Sequence, residues 1–378
     1  MVVLSPFTAV IPGIYGIYLM LKKKISFQKN YLNIGLILLF LSYLISGLIN
    51  KSILSISGTF LLLVYLGVSV LSQSYFTSNE RIENMFKMLI YYSVVTAMIG
   101  IGEKILFIFI GKPTHRIFST YGNPNMTAAW FASIILICIF MKYKIDKDDK
   151  KLNFLLIPIT IALLLTESTG AFIAILVSIA TYLLVDRNRD FKKNSLMTIT
   201  IFLVGITFIL AQRKINSITV VDEVKTSFTS RYDIWIGSIE MFLLKPFFGW
   251  GSLGTLEHGI DFMYNNGNVI HSHNVWLTFL VSGGIVALLI YLFIKFKIIG
   301  DLIKIYLKGD KYICILVSLN VMVVIQGLVD CSLYAPQLAT LFIVTNSILI
   351  NIVNGVIDEN SKDKGVTDKR KAVEINYP

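Results

Sequence analysis

Apolar residues run along this chain in blocks of roughly 20, the length a helix needs to cross a hydrocarbon core of about 30 Å. Short clusters of Lys, Asp, Asn and Gly separate them. Taken as helices, the blocks predict eleven spans, at Leu4–Leu21, Tyr31–Ile49, Ile53–Leu71, Lys87–Ile110, Asn125–Met141, Asn153–Thr166, Gly170–Val185, Ser195–Gln212, His273–Phe296, Tyr312–Asp330 and Tyr334–Val353. The pair flanking Glu167 is short and also fits one bent hairpin dipping into the bilayer. The expected fold class is an all-α polytopic membrane protein. Residues 1–354 are expected to form a single transmembrane helical domain with a large outer loop at 213–272. The polar tail 355–378 is expected to be disordered and cytoplasmic.

Composition agrees with that pattern. Of 378 residues, 55% are hydrophobic and only 15% charged, where a soluble domain would carry about 25%. The net charge of +11 needs no nucleic acid, because cytoplasmic loops of membrane proteins collect Lys and Arg. Placing Lys22–Lys24 in the cytoplasm and alternating sides puts 25 of the 34 Lys and Arg in cytoplasmic connectors and the tail, and 8 outside. The N-terminus is then outside and the C-terminus inside. The N-terminal segment has no basic stretch ahead of its apolar run and reads as a span rather than a cleaved signal. Cys138, Cys314 and Cys331 sit in or beside apolar runs without metal or disulfide spacing, so they read as small core residues. No internal repeat is evident.

Polar residues on the outer side are few and bunched. One bunch is Thr114–Asn125, with Arg116 among hydroxyl and amide groups. Its plain reading is a polar turn with Asn125 capping the next helix; its functional reading is an anion site at the membrane surface. A second runs from Ser230-Arg231 through Trp235 to Pro246-x-x-Gly249-x-Gly251. Ile234, Ile239, Met241 and Phe242 at helical spacing predict an amphipathic interfacial helix over Ser230–Leu244, with Arg231 and Trp235 near its start. The glycine run after it reads as a flexible turn whose exposed amides suit a phosphate or sugar. The third bunch, His271-Ser272-His273-Asn274, opens a span that continues to Gly283-Gly284 and suits proton transfer where water and lipid meet. Glu167 and Asp330 are carboxylates at span ends, either functional or merely solvated. Lys104, inside a span, reads as structural, paired with Glu103 or reaching to the interface.

In order, spacing and side, these motifs resemble the O-antigen ligase and Wzy-type polymerase superfamily of bacterial envelope glycan enzymes. Arg116 with Gly122-Asn123-Pro124-Asn125, Arg231-x-x-x-Trp235, Pro246-x-x-Gly249-x-Gly251, and His273-Asn274 nine residues before Gly284 carry the likeness, over roughly residues 110–300. The resemblance implies a GT-C-like helical glycosyltransferase of the bacterial cytoplasmic membrane, inverting, with neither metal nor other cofactor and its active site on the extracytoplasmic face. It implies a polyprenyl-diphosphate-linked glycan donor, such as undecaprenyl diphosphate, a glycan or lipid acceptor, and membrane lipid as partners. His273 becomes the catalytic base and Arg116 or Arg231 the diphosphate ligand, with His271, Asn274, Asn125, Trp235 and Glu167 in support. Three departures stand out. Ser168-Thr169 replaces a Ser-Arg pair common in relatives, with Arg213 or Lys214 as possible substitutes. Ala287 stands where Gly is frequent, and the chain shows eleven spans against about twelve.

The chemistry fits these residue types. A neutral imidazole can take the acceptor proton near pH 7, typically worth 10²–10⁴-fold, and guanidiniums can hold the leaving diphosphate bidentately. The chain lacks a Gly-rich nucleotide loop on the cytoplasmic side, in keeping with a lipid-linked donor. The rival from another class is a transporter or flippase for anions or lipid-linked sugars, which predicts charges inside several spans and symmetric halves.

Overall fold

A computed structural model describes residues 6–146, 149–186, 203, 220–263 and 269–357. Among the described residues the chain is helical, without strands. Its helices are α1 (Phe7–Leu21), α2 (Tyr31–Ile49), α3 (Ile53–Thr59), α4 (Leu61–Tyr75), α5 (Asn79–Phe109), α6 (Pro124–Phe140), α7 (Lys151–Leu165) and α8 (Thr169–Val185). They continue as α9 (Val220–Leu244), the short α10 (Gly254–His258), α11 (Val275–Lys308), α12 (Ile313–Gln326) and α13 (Pro336–Val353). Six helical stretches among the described residues are long and apolar enough to cross a membrane, α3 and α4 counting as one. Four more, α1, α7, α8 and α12, are apolar but have 17 residues or fewer. The expected eighth span, Ser195–Gln212, and the tail from 358 lie outside the described residues, apart from Leu203.

Local sequence sets the helix starts. Asn30, Ser52, Ser78, Asn123 and Asn274 are extended at their N-caps, and their side chains accept the first free amides. Asn123, not Asn125, caps α6, because Pro124 fills the first helical position and brings the Asn125 and Met126 amides onto the Asn123 side chain. Helix α6 is the centre of the bundle: every residue from Met126 to Phe140 is buried, as expected of a helix apolar on all sides. The outer helices leave Ile11, Met88, Phe109 and Leu184 more than half exposed, surface that lipid can cover and water cannot.

Cross-links between connectors sort into two groups. At one end Lys144 pairs with Asp186 at 2.7 Å, Lys87 with Asp146 at 2.9 Å and Lys311 with Glu83 at 2.9 Å. At the other, Arg116 bonds Thr166, Asn50 bonds the Gly249 carbonyl at 3.0 Å, and Ser252 bonds the Ser55 carbonyl at 2.6 Å. These are the two sets that the Lys and Arg alternation separates. Asp186 and Ser252 belong to opposite ends.

Candidate active site at the mouth of α11

The start of α11 is pinned from two sides. The Asn274 carboxamide oxygen accepts from the amides of Trp276 (2.9 Å) and Leu277 (3.1 Å), while its nitrogen donates to the Leu328 carbonyl at 3.1 Å. The Val275 amide donates to Gly327 at 2.8 Å. The α12–α13 connector is thereby fastened to the residues before α11, and its carboxylate, Asp330, meets both imidazoles. Asp330 Oδ1 lies 3.3 Å from His273 Nδ1 and 3.6 Å from His271 Nε2, and accepts the Cys331 amide at 2.8 Å. His273 is held at φ 47°, a left-handed backbone that costs a non-glycine residue of order 1–3 kcal/mol and persists only where neighbours impose it. Asp330 is buried, whereas the His273 side chain keeps 26% of its surface exposed.

Hydrogen bonding assigns the protons. The His273 amide donates to His271 Nδ1 at 3.2 Å, so the His271 lone pair sits on Nδ1 and its proton on Nε2, facing Asp330. Burial lowers the His271 pKa to about 4, with Asp330 opposing and His273 adding to the shift, leaving the ring uncharged at neutral pH. Burial pushes Asp330 upward. The His273 hydrogen bond, the two imidazoles and the Cys331 amide outweigh it and bring it to about 2, so it is a carboxylate. His273 then donates from Nδ1 and presents the lone pair of Nε2. The ligand atoms of His271, His273 and Asp330 lie within 4.8 Å of one another, close enough to hold a metal ion. In this arrangement the His271 lone pair is engaged by the His273 amide, which leaves the His273 ring and the two Asp330 oxygens as donors.

Below this cluster α11 is broken. Gly284 (φ 65°, ψ −162°) interrupts the helix and frees backbone groups on both sides. The Pro246–Gly251 turn takes them up. The Trp250 and Gly251 amides donate to the carbonyls of Val281 (2.8 Å) and Ser282 (2.9 Å), and the Ile285 amide donates to Pro246 at 2.8 Å. A Cβ on Gly284 would meet the Phe247 carbonyl oxygen at 2.2 Å, and one on Gly249 the Val281 oxygen at 2.4 Å. The turn amides expected to face a phosphate are therefore spent inside the protein. That expectation is corrected: two of the sequence motifs are halves of one joint. Asn50 and Tyr334 lock it. Lys245 donates to the Asn50 carboxamide oxygen and stands 3.5 Å over the Trp250 ring. The Tyr334 hydroxyl donates to the Ser252 carbonyl at 2.7 Å, and its ring lies 5.5 Å from His271.

The other expected site residues fall around this centre. Arg116 donates from Nε to the Thr166 carbonyl at 2.8 Å and from Nη2 to Asn125 Oδ1 at 2.9 Å, so Asn125 supports the arginine. Glu167 faces Lys104 at 3.5 Å, and Lys104 also donates to the His115 carbonyl at 2.7 Å. The acidic partner of Lys104 is therefore Glu167 and not the expected Glu103. Glu103 instead gathers the His115 ring and the amides of Phe118 and Ser119, shaping the 111–123 loop in a way the sequence reading missed. A Cβ on Gly170 would meet the Val329 side chain at 2.7 Å, so the turn after Glu167 packs closely against the connector that carries Asp330. In α9, Ile234 and Met241 are buried against Val281 and Met263, while Ile239 is exposed. Arg231 lies one turn ahead of Ile234 on that face and Trp235 beside it. An apolar cavity of about 390 Å³ extends under the site, walled by Tyr43, Leu61, Ile270, Thr278, Tyr334 and Phe342.

Two comparisons relate this chain to known proteins. Residues 154–292 match the family model described as O-antigen ligase (Wzy_C), which spans Arg231, the 246–251 turn and His273. The chain is 25% identical over 299 residues to the ComP-specific O-oligosaccharyltransferase of Acinetobacter baylyi (strain ATCC 33305 / BD413 / ADP1), covering 73% of this chain and 52% of that protein. The chain thus spans about half the length of the curated relative it matches. The joined motifs fall inside the segment that is similar to the O-antigen ligase family model.

Proposed function

We propose that this protein is a GT-C-like glycosyltransferase of the bacterial cytoplasmic membrane that moves a glycan from a polyprenyl diphosphate to an acceptor hydroxyl. The reading rests on one observation: a part-exposed imidazole, His273, whose Nδ1 is turned onto a buried carboxylate while Nε2 has no partner among the described residues. Nε2 takes the acceptor proton as the oxygen bonds to the anomeric carbon and the bond to the diphosphate breaks, with inversion. Asp330 holds the ring in the required tautomer and stabilises the imidazolium as it forms. Arg231 receives the departing diphosphate charge without a metal. Arg116 is the second candidate, with two of its donor groups already given to Thr166 and Asn125. The apolar cavity beneath suits an isoprenoid chain. The His273 end faces outward, since the basic connectors gather at the other.

Purified protein mixed with a polyprenyl-diphosphate-linked glycan and an acceptor should form a new glycosidic bond, and His273→Ala should abolish it while leaving membrane insertion intact. In a deletion strain, a polymerase would leave single-repeat glycan and a ligase would leave long carrier-bound chains. Movement of the lipid-linked glycan or of anions across vesicles, with no new bond formed, would replace this reading with a transporter.

A further inference from the structure

A groove of about 1410 Å³ opens at the end opposite His273, between α1, α4 and α13. Its mouth carries Lys23, Lys24 and Arg81, and among the described residues no acidic side chain lines it. Arg81 is fixed in place: Nη1 donates to the Tyr75 carbonyl at 2.9 Å and to Thr77 at 3.3 Å, with the guanidinium 5.1 Å from the Tyr75 ring centre. Lys23 and Lys24 are exposed and form no ion pair among the described residues. Gln73, at the groove floor, is buried and already bonded to Asn30, Asn33 and Ser69, so the three cations are the groove's unspent charge. Away from the mouth the walls turn apolar, with Pro12, Leu19, Val68 and Val344. From Pro12 to Met20 the trench follows α1 for about 12 Å at helical rise, close to the depth of one leaflet of hydrocarbon.

We infer that this groove binds one anionic phospholipid of the basic-end leaflet, its phosphate held by Lys23, Lys24 and Arg81 and an acyl chain laid along α1 and α4. Cationic pockets between membrane helices recognise anionic headgroups in this way. The chain's own tail is the competing occupant, since Val356 lines the groove and Asp358, Glu359 and Asp363 follow it. Acidic residues could meet the cations, but they could not cover 12 Å of apolar wall.

The test uses full-length protein in phosphatidylcholine nanodiscs, titrated with phosphatidylglycerol and read by native mass spectrometry and thermal shift. One phosphatidylglycerol should be retained and should raise Tm. The variant Lys23→Ala/Lys24→Ala/Arg81→Ala should bind at least tenfold more weakly, and Lys23→Arg/Lys24→Arg should bind as the parent does. Leu71→Trp, which narrows the trench and leaves every cation, should also weaken binding, so the inference stays testable if the triple variant misfolds. Equal retention of phosphatidylcholine, undiminished binding by both loss variants, or an equal shift with glycerol phosphate alone would overturn it. So would binding that appears only in a chain ending at Ile357, which would make the tail the occupant.

Discussion

His273 and Asp330 stand 57 positions apart in the chain, yet His273 Nδ1 and Asp330 Oδ1 are 3.3 Å apart. The contact exists because the Asn274 side chain and the Val275 amide tie the mouth of α11 to the connector carrying the carboxylate. An imidazole oriented in this way has one free nitrogen, and its partner charge is already in place before a proton arrives. Asp330→Asn keeps the volume but removes the charge and presents an amide that can favour the wrong tautomer. Transfer should fall by roughly 10²–10⁴ in kcat with KM little changed. A merely structural aspartate would instead lower thermal stability and leave the kcat of the folded fraction intact, so both are measured on the same preparation.

The joint between the 246–251 turn and the α11 break tolerates no side chain. Gly284→Ala adds a Cβ 2.2 Å from a carbonyl oxygen at a positive φ, and Gly249→Ala repeats the clash from the other half. Each should cost roughly 2–4 kcal/mol, read as a lowered Tm in detergent. Wild-type stability in either variant would show that the two segments do not lock.

The two arginines should separate by readout. Arg231→Lys loses the bidentate fork and should raise KM for the lipid-linked donor by about tenfold or more, with Tm unchanged. Arg116→Lys cannot span Thr166 and Asn125 together and should lower stability by about 1–3 kcal/mol. If the two variants exchange these behaviours, so do the roles.

Stability should depend on pH through His271. Its folded pKa, about 4, lies below the ordinary value of 6.5, so between those values the unfolded chain binds more protons. Stability is then full above pH 6.5 and falls as pH drops toward 4, by an amount on the order of 1–3 kcal/mol. Asp330, lowered from 3.8 to about 2, adds its own loss only below that window. His271→Gln should flatten the upper limb and leave the lower one. An unchanged upper limb would mean that the ring is not buried and neutral.

Prolonged chelation should leave glycan transfer unaltered, because the His271 lone pair is committed to the His273 amide. Activity lost to a chelator and restored by a divalent cation would recast His271, His273 and Asp330 as a metal centre.

Much of this was legible along the chain. Helices such as Tyr31–Ile49 and Thr169–Val185 begin and end within a residue of the apolar blocks, because a lipid-facing helix must be apolar throughout and its ends must reach polar groups. The site was legible only in part. His271, His273 and Arg231 were marked because polar groups are scarce and bunched at one side. Asp330 could be noted as an isolated carboxylate at a span end, but its partner lay beyond any local spacing. Glu103 read as half of a pair with Lys104. Four consecutive apolar positions of α5 after it, Ile105–Ile108, gave no hint that it would gather the 115–119 loop. The 246–251 turn was misjudged for a related reason: glycine signals an open backbone, and sequence does not say whether a ligand or another segment fills the opening.

Hydropathy and charge by themselves determined that this chain is a bundle of membrane helices with basic connectors gathered at one end. Burying apolar surface and keeping Lys and Arg out of lipid are costs that each segment meets alone. The tertiary structure decided which polar groups act together. Whether His273 meets a carboxylate, and whether Gly284 opens onto solvent or onto Phe247, depends on connectors far apart in sequence arriving at one rim. Bonds between them are short-range and directional, so only packed helices could fix them.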